Sequence, residues 1–205
     1  MMSDDFAQRA HELIEAGRFI DNRGWVPATS GNFSARLADG RIAITVSGRH
    51  KGRLTLADIM LVDAEGRSLD GQTPSAETQL HTALYRRYPS VGAVLHPHSP
   101  GSTLLSRLKT GSVELENYEL LKALKGIRTH ESRVTVPIFQ NDQDIPRLAD
   151  VIDRWMDNHG DIHAYIIASH GFYTWGDNVQ EALRQVEALE FLFEIESRLH
   201  GVSTA

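Results

Sequence analysis

The chain has 205 residues and a formal net charge of −6, from 21 lysines and arginines against 27 aspartates and glutamates. That length suffices for one sizeable core, and an acidic balance without a basic block argues against nucleic acid or an anionic membrane as partner. Cysteine is absent, which excludes disulfides, thiolate ligands and a thiol nucleophile and leaves imidazole, carboxylate and water to hold any metal.

No run approaches the ~20 apolar residues of a membrane span, and Met1-Met2-Ser3-Asp4-Asp5 lacks the segments of a signal peptide, so a cytoplasmic protein is expected. Phe6 to about Ile20 repeats Phe6, Ala10, Leu13 and Ile14 at helical spacing behind Ser3-Asp4-Asp5, which predicts a first helix. Asn32 to Leu37 and Arg41 to Ser47 predict an antiparallel pair around Ala38-Asp39-Gly40, since Asp-Gly suits a tight hairpin. A short helical turn is expected over Leu54 to Ile59 and a strand over Met60 to Asp63. Ser75 to Tyr88 reads as a helix capped by Ser75, with Leu80, Leu84 and Tyr85 on its buried face. Val91 to His96 reads as a strand, Ser99 to Leu108 and Glu116 to Leu124 as helices, the latter ended by Gly126. A strand over Arg133 to Phe139, a helix over Ile145 to Asn158, a buried strand over His163 to Ser169 and a long helix over Val179 to Leu199 complete the order. Neither linker nor repeat interrupts it, so one α/β domain over residues 1–205 is expected, with a central, mainly antiparallel or mixed β-sheet flanked by helices.

The chemistry concentrates where apolar runs end. His96-Pro97-His98 closes Val91-Gly92-Ala93-Val94-Leu95, and residues at i and i+2 of an extended segment face one way. Pro97 between them has no N–H to lose, as suits a strand end. His170, within Ser169-His170-Gly171, closes Ala164-Tyr165-Ile166-Ile167-Ala168 in the same manner. Either the three are locally satisfied strand-end and turn residues, or they form a facial set of imidazoles around a divalent metal with open positions for substrate. His11, His81, His159 and His200 fall in or next to helices, where a packed or solvated role is expected.

Two loops, Thr29-Ser30-Gly31-Asn32 and Ser47-Gly48-Arg49-His50-Lys51-Gly52, combine hydroxyls, glycines and Lys51. They are either ordinary turns or a phosphate cradle built of Ser30, Gly31, Asn32, Ser47, Gly48 and Lys51, to which Ser75 adds a helix N-terminus. Glu77 and Glu119 are the candidate acid/base carboxylates, although helical glutamates are commonly solvated.

Taken in order, Thr29-Ser30-Gly31-Asn32, Ser47-Gly48, Pro74-Ser75-Ala76-Glu77, His96-Pro97-His98 and Ala168-Ser169-His170-Gly171 resemble the class II aldolase and adducin family from Phe6 to Leu199. The resemblance implies a three-layer fold, one Zn2+ per subunit on His96, His98 and His170, a sugar-phosphate substrate, and a homotetramer with sites near subunit interfaces. Ser47 to Gly52 and Tyr118 to Ile127 resemble the family's dehydratase branch, in which the latter segment holds an acid/base glutamate; this implies that role for Glu119. Glu77 matches the catalytic glutamate of the family's aldolases, while Ala76 replaces their second serine. Aldol cleavage or 4-epimerisation of a ketose phosphate is the alternative within the family, and a non-catalytic, adducin-like assembly module is the alternative outside enzymology.

Overall fold

A computed structural model describes residues 4–203. Its helices are α1 (Asp4–Asn22), α2 (Thr78–Arg87), α3 (Pro100–Leu108), α4 (Ile145–His159) and α5 (Val179–Ser203). Its strands are β1 (Asn32–Arg36), β2 (Ile42–Thr45), β3 (Ile59–Val62), β4 (Ala93–His96), β5 (Ser112–Glu116), β6 (Arg133–Phe139), β7 (Ala164–Ile167) and β8 (Gly171–Gly176). Eight strands form one sheet in the order β3-β2-β1-β4-β8-β7-β6-β5. Only β6 and β7 pair in parallel, so the sheet is mixed and mainly antiparallel, as expected.

The central strands are buried on both faces, and their alternation sorts side chains into two cores. Ala93 and Leu95 of β4, Ala164 and Ile166 of β7 and Phe172 of β8 join α1, α3 and α5 on one side. Val94, Tyr165, Ile167, Tyr173 and Trp175 join α2 and α4 on the other. The result is a three-layer α/β/α sandwich. Val186, Leu189, Leu192 and Phe193 of α5 are wholly buried, so that helical stripe belongs to the core.

Four local expectations are corrected. The helix expected from Ser75 begins at Thr78, with Glu77 at its N-cap position, and the Ser75 hydroxyl accepts from the Glu77 N–H at 3.3 Å. The helix expected over Glu116 to Leu124 is instead the end of β5 followed by a 3-10 turn over Glu119–Ala123. A 3-10 turn takes every third side chain to one face, so Leu121 and Leu124 reach the core while Leu120 is left outside. The order expected from the sequence has no element over Gly171–Gly176, where the structure has β8 in a hairpin with β7. The strand expected over His163 to Ser169 stops at Ile167, because Ser169 turns through a left-handed backbone (φ 57°) to start that hairpin.

Phe193 packs edge-on against Phe172 at 5.2 Å between ring centroids, joining α5 to the centre of the sheet. Phe193→Ala should therefore lower the unfolding free energy by about 3–5 kcal/mol, as measured by chemical denaturation; a loss below about 1 kcal/mol would show that this contact does not hold α5 in place.

Candidate metal centre

β4 delivers His96 to the α2 side of the sheet, and the chain leaves the strand through Pro97 to place His98 beyond its end. β8 runs antiparallel to β4, pairing Leu95 with Thr174, so its first residues lie against the Pro97 turn. There the Phe172 N–H donates to the Pro97 carbonyl (3.2 Å), and the His96 ring Nδ1 lies 2.8 Å from the Phe172 carbonyl. His170 occupies the β7–β8 turn. The backbone N–H of the strained Ser169 donates to Ser106 Oγ at 2.9 Å. Gly171 is required next, because a Cβ there would sit 2.3 Å from the Pro97 oxygen.

The His96 contact fixes a tautomer: a carbonyl only accepts, so Nδ1 carries the proton and Nε2 presents a bare lone pair. His98 Nε2 is 3.0 Å from His96 Nε2, and His170 Nε2 is 3.0 Å from His98 Nε2. Three ring nitrogens converging so closely repel unless a proton or a cation lies among them. Zinc–nitrogen bonds of about 2.0–2.1 Å in a tetrahedral arrangement separate ligand nitrogens by roughly 3.3 Å, so the set fits a divalent ion with little movement. Glu77 Oε1 lies 3.1 Å from His170 Nε2 and 3.6 Å from His96 Nε2. Glu77, His96, His98 and His170 each offer a ligand atom within 4.8 Å of the others, the group among the described residues that can hold a metal ion. Burial would raise the Glu77 carboxyl, but positive charge among the facing His96 and His170 rings, brought by a proton or a cation, outweighs it and holds the group well below the usual carboxylate range. Burial, reinforced by the neighbouring imidazoles, pushes His98 down to about 3, which leaves its ring neutral as a ligand must be.

The two predicted anion loops meet beside this centre. Lys51, fully buried, donates from Nζ to the carbonyls of Thr29 (2.9 Å) and Arg49 (2.6 Å), tying one loop to the other. Burial lowers its pKa to about 8 against the attraction of Glu77. Ser30 Oγ is buried with no hydrogen-bond partner, a donor open to an incoming anion. Gly31 and Gly48 both have positive φ, and Gly31 backs directly onto the His96 carbonyl. Ser47 and Gly48 are exposed, while Ser75 is half-buried beside Glu77. Asn32 turns away from the loops: its amide nitrogen lies 2.5 Å from Glu77 Oε2 and its oxygen meets His81. Glu119 is not brought to the centre within one chain. Its side chain is 74% exposed, 2.5 Å from Lys122 and 3.9 Å from His130.

Two residues that support the centre escape a reading of the sequence alone. His81, expected to be merely packed or solvated, is completely buried between Asn32 and Ser34; the signal was its spacing four residues after Glu77 on one helix. Glu190 of α5 accepts from Ser99 Oγ and from the Gly101 N–H (2.9 Å) at the start of α3, clamping the turn that follows His98. Burial raises Glu190 to about 7 against those hydrogen bonds.

A mixed sheet with three convergent histidines and a glutamate at its strand ends defines a class of protein, and the family model described as Class II Aldolase and Adducin N-terminal domain matches residues 11–197; the chain belongs to that family. It is 72% identical over 202 residues, 98% of this chain and 99% of the other, to a methylthioribulose-1-phosphate dehydratase of Methylococcus capsulatus. A protein of the same name from Pseudomonas paraeruginosa is 53% identical over 98% of this chain and 100% of its own. Among solved structures, YgbL from Escherichia coli superposes with a TM-score of 0.79 at 28% identity, covering 94% of this chain and 89% of its own. The L-fuculose-1-phosphate aldolase of Thermus thermophilus shares the fold, with a TM-score of 0.76 at 24% identity over 98% of this chain and 99% of its own.

Burial pushes His81, like His98, from an ordinary value of 6.5 down to about 3. Between those values the unfolded chain binds more protons than the folded one, so stability of the metal-free protein is full above about pH 6.5 and falls as pH drops towards about 3. Thermal melts of metal-stripped protein should show the midpoint declining across that window; a flat profile would mean that these rings are not buried neutral.

Proposed function

We propose that this chain removes water from 5-methylthioribulose 1-phosphate to give 2,3-diketo-5-methylthiopentyl 1-phosphate. What carries this reading is the convergence of His96, His98 and His170 Nε2 beside the Glu77 carboxylate, in a chain that near-full-length relatives named for that dehydration resemble throughout. We further propose zinc as the metal, one ion per chain, since three imidazoles leave positions open for substrate. With it go a homotetramer with sites at subunit interfaces, the cytoplasm as compartment and a place in methionine salvage.

His96, His98 and His170 would hold the metal, which would supply Lewis-acid polarisation of the substrate carbonyl and so make the proton on the adjacent carbon acidic. Glu77, ionised and half-buried against the imidazoles, accepts that proton from C3. The C4 hydroxyl departs with a proton as water, and C3=C4 forms as the C3–H and C4–O bonds break; the resulting enol tautomerises to the diketone. Glu119 is the proposed donor of that proton, presented by the exposed 119–123 turn of a neighbouring subunit. In support, Leu120 of that turn and Phe191 of α5 are large apolar side chains exposed on the same face, which an assembly would cover. Ser30, Gly31, Ser47, Gly48, Lys51 and Ser75 are proposed to hold the phosphate, whose binding positions the reacting carbons away from it. Asn32, first counted with them, is assigned to Glu77.

The deciding experiment is a dehydratase assay on 5-methylthioribulose 1-phosphate with and without chelator, run beside fuculose 1-phosphate. Water loss from the first, abolished by chelator and restored by Zn2+, is expected; cleavage of the second with no reaction of the first would make the chain an aldolase. Glu77→Gln and Glu119→Gln should each keep the metal and lose about 10²–10⁴-fold in turnover. Whichever variant retains full turnover loses its proposed role.

A further inference from the structure

Glu77 is also reached from below by a line of buried polar side chains that no metal ligand uses. Asn32 Nδ2 lies 2.5 Å from Glu77 Oε2, and Asn32 Oδ1 meets His81 Nε2. His81 Nδ1 is 2.7 Å from Ser34 Oγ, which is 2.9 Å from the Tyr85 hydroxyl. The spacing is that of a zipper. Asn32 and Ser34 are two apart on β1 and face the same way, while Glu77, His81 and Tyr85 are four apart along α2 and its N-cap, one helical turn each. Strand and helix residues therefore alternate along the line. Asn32, Ser34, His81 and Tyr85 are all buried, so each polar atom has to be satisfied by its neighbour rather than by bulk water.

We infer that His81 is a positioning residue: through a one-way chain of donors running Tyr85, Ser34, His81, Asn32, it fixes Glu77 Oε2 and leaves Oε1 turned to the imidazoles and the substrate. The direction follows from what each group can do. A carboxylate only accepts, so Asn32 presents its NH2 to Glu77 and its carbonyl oxygen to His81. That oxygen needs a donor, so His81 carries its proton on Nε2. Its bare Nδ1 then takes the Ser34 O–H, and the Ser34 oxygen is left to accept the Tyr85 O–H. One reversed member would set donor against donor or lone pair against lone pair in a buried space. Tyr173 holds the line in register, stacked on His96 at 3.9 Å and edge-on to His81 at 5.5 Å between ring centroids. Glu77 Oε1, free of this chain, is the oxygen that faces His170 and His96.

This inference rests on Glu77 as the reacting carboxylate, and its test reads the chain apart from turnover. In full-length, metal-free protein labelled with 15N-histidine, long-range 1H–15N spectra should show His81 as the neutral, Nε2-protonated tautomer at neutral pH. An Nδ1-protonated or doubly protonated His81 overturns the inference. In the metal-loaded enzyme, Ser34→Ala and His81→Leu should lower kcat by about 10–100-fold with KM within about twofold, because neither side chain touches a residue proposed to hold the phosphate. His81→Gln, which retains a donor for Asn32, should recover part of that loss. Wild-type kcat in Ser34→Ala, or equal losses in the leucine and glutamine variants, overturns the positioning role; should His81→Leu fail to fold, the spectra and Ser34→Ala decide. Full activity in Glu77→Gln would remove the base reading itself, and with it the catalytic purpose of the chain, while the His81 tautomer would still report the direction of the hydrogen bonds.

Discussion

The centre depends on a place where two backbones touch. A Cβ on Gly171 would lie 2.3 Å from the Pro97 carbonyl oxygen, and one on Gly31 would lie 2.7 Å from the His96 carbonyl oxygen. With both spaces empty, β8 closes on the end of β4 from one side and the 29–31 loop closes from the other. The Phe172–Pro97 and His96–Phe172 contacts then set the separation of the three imidazoles to within the reach of one ion. Any larger residue at 171 would push the His170 turn outward, and no adjustment of histidine rotamers restores a gap opened in the backbone.

Around this point the protein buries charge that it has to compensate. An ionised Glu77 beside neutral rings is costly in a dry sheet end unless donors and a cation meet it; Asn32 supplies a donor, and the metal-binding set supplies the place for the cation. Lys51 is compensated differently, by two backbone carbonyls that belong to separate loops. Glu190 provides a third solution. It satisfies an amide at the start of α3, which has no partner within that helix, and so ties the turn after His98 to the longest helix of the molecule. Gly101 makes this possible, since a Cβ there would lie 2.7 Å from the Glu190 carboxylate.

The convergence of His96, His98 and His170 was legible because it obeys local rules: period-two geometry puts His96 and His98 on one face, and an apolar run delivers His170 to the same height of the sheet. The misses have equally physical causes. Ser112–Glu116 alternates correctly, with Val113 and Leu115 inward, but is short and runs into leucines whose spacing also fits a helix. Gly171–Gly176 is buried on both faces and so shows no alternation. Asn32 reads as a loop residue until His81 is placed above it, which takes tertiary structure. Glu119 carries the pattern of its family, yet the fold of one chain sends it to the surface, a matter that no pattern within one chain resolves.

The spacing of the ligands along the chain also bears on how the protein is made. His170 meets His98 across 72 residues of sequence, and the hairpin that carries it is closed by β8, the last strand. A metal ion therefore finds two histidines, and no enclosed site, until nearly the whole sheet has assembled. Closing so long a loop costs chain entropy that the sheet has to repay before the three rings can meet. An ion that binds the assembled centre more tightly than the open chain then stabilises the folded protein by mass action.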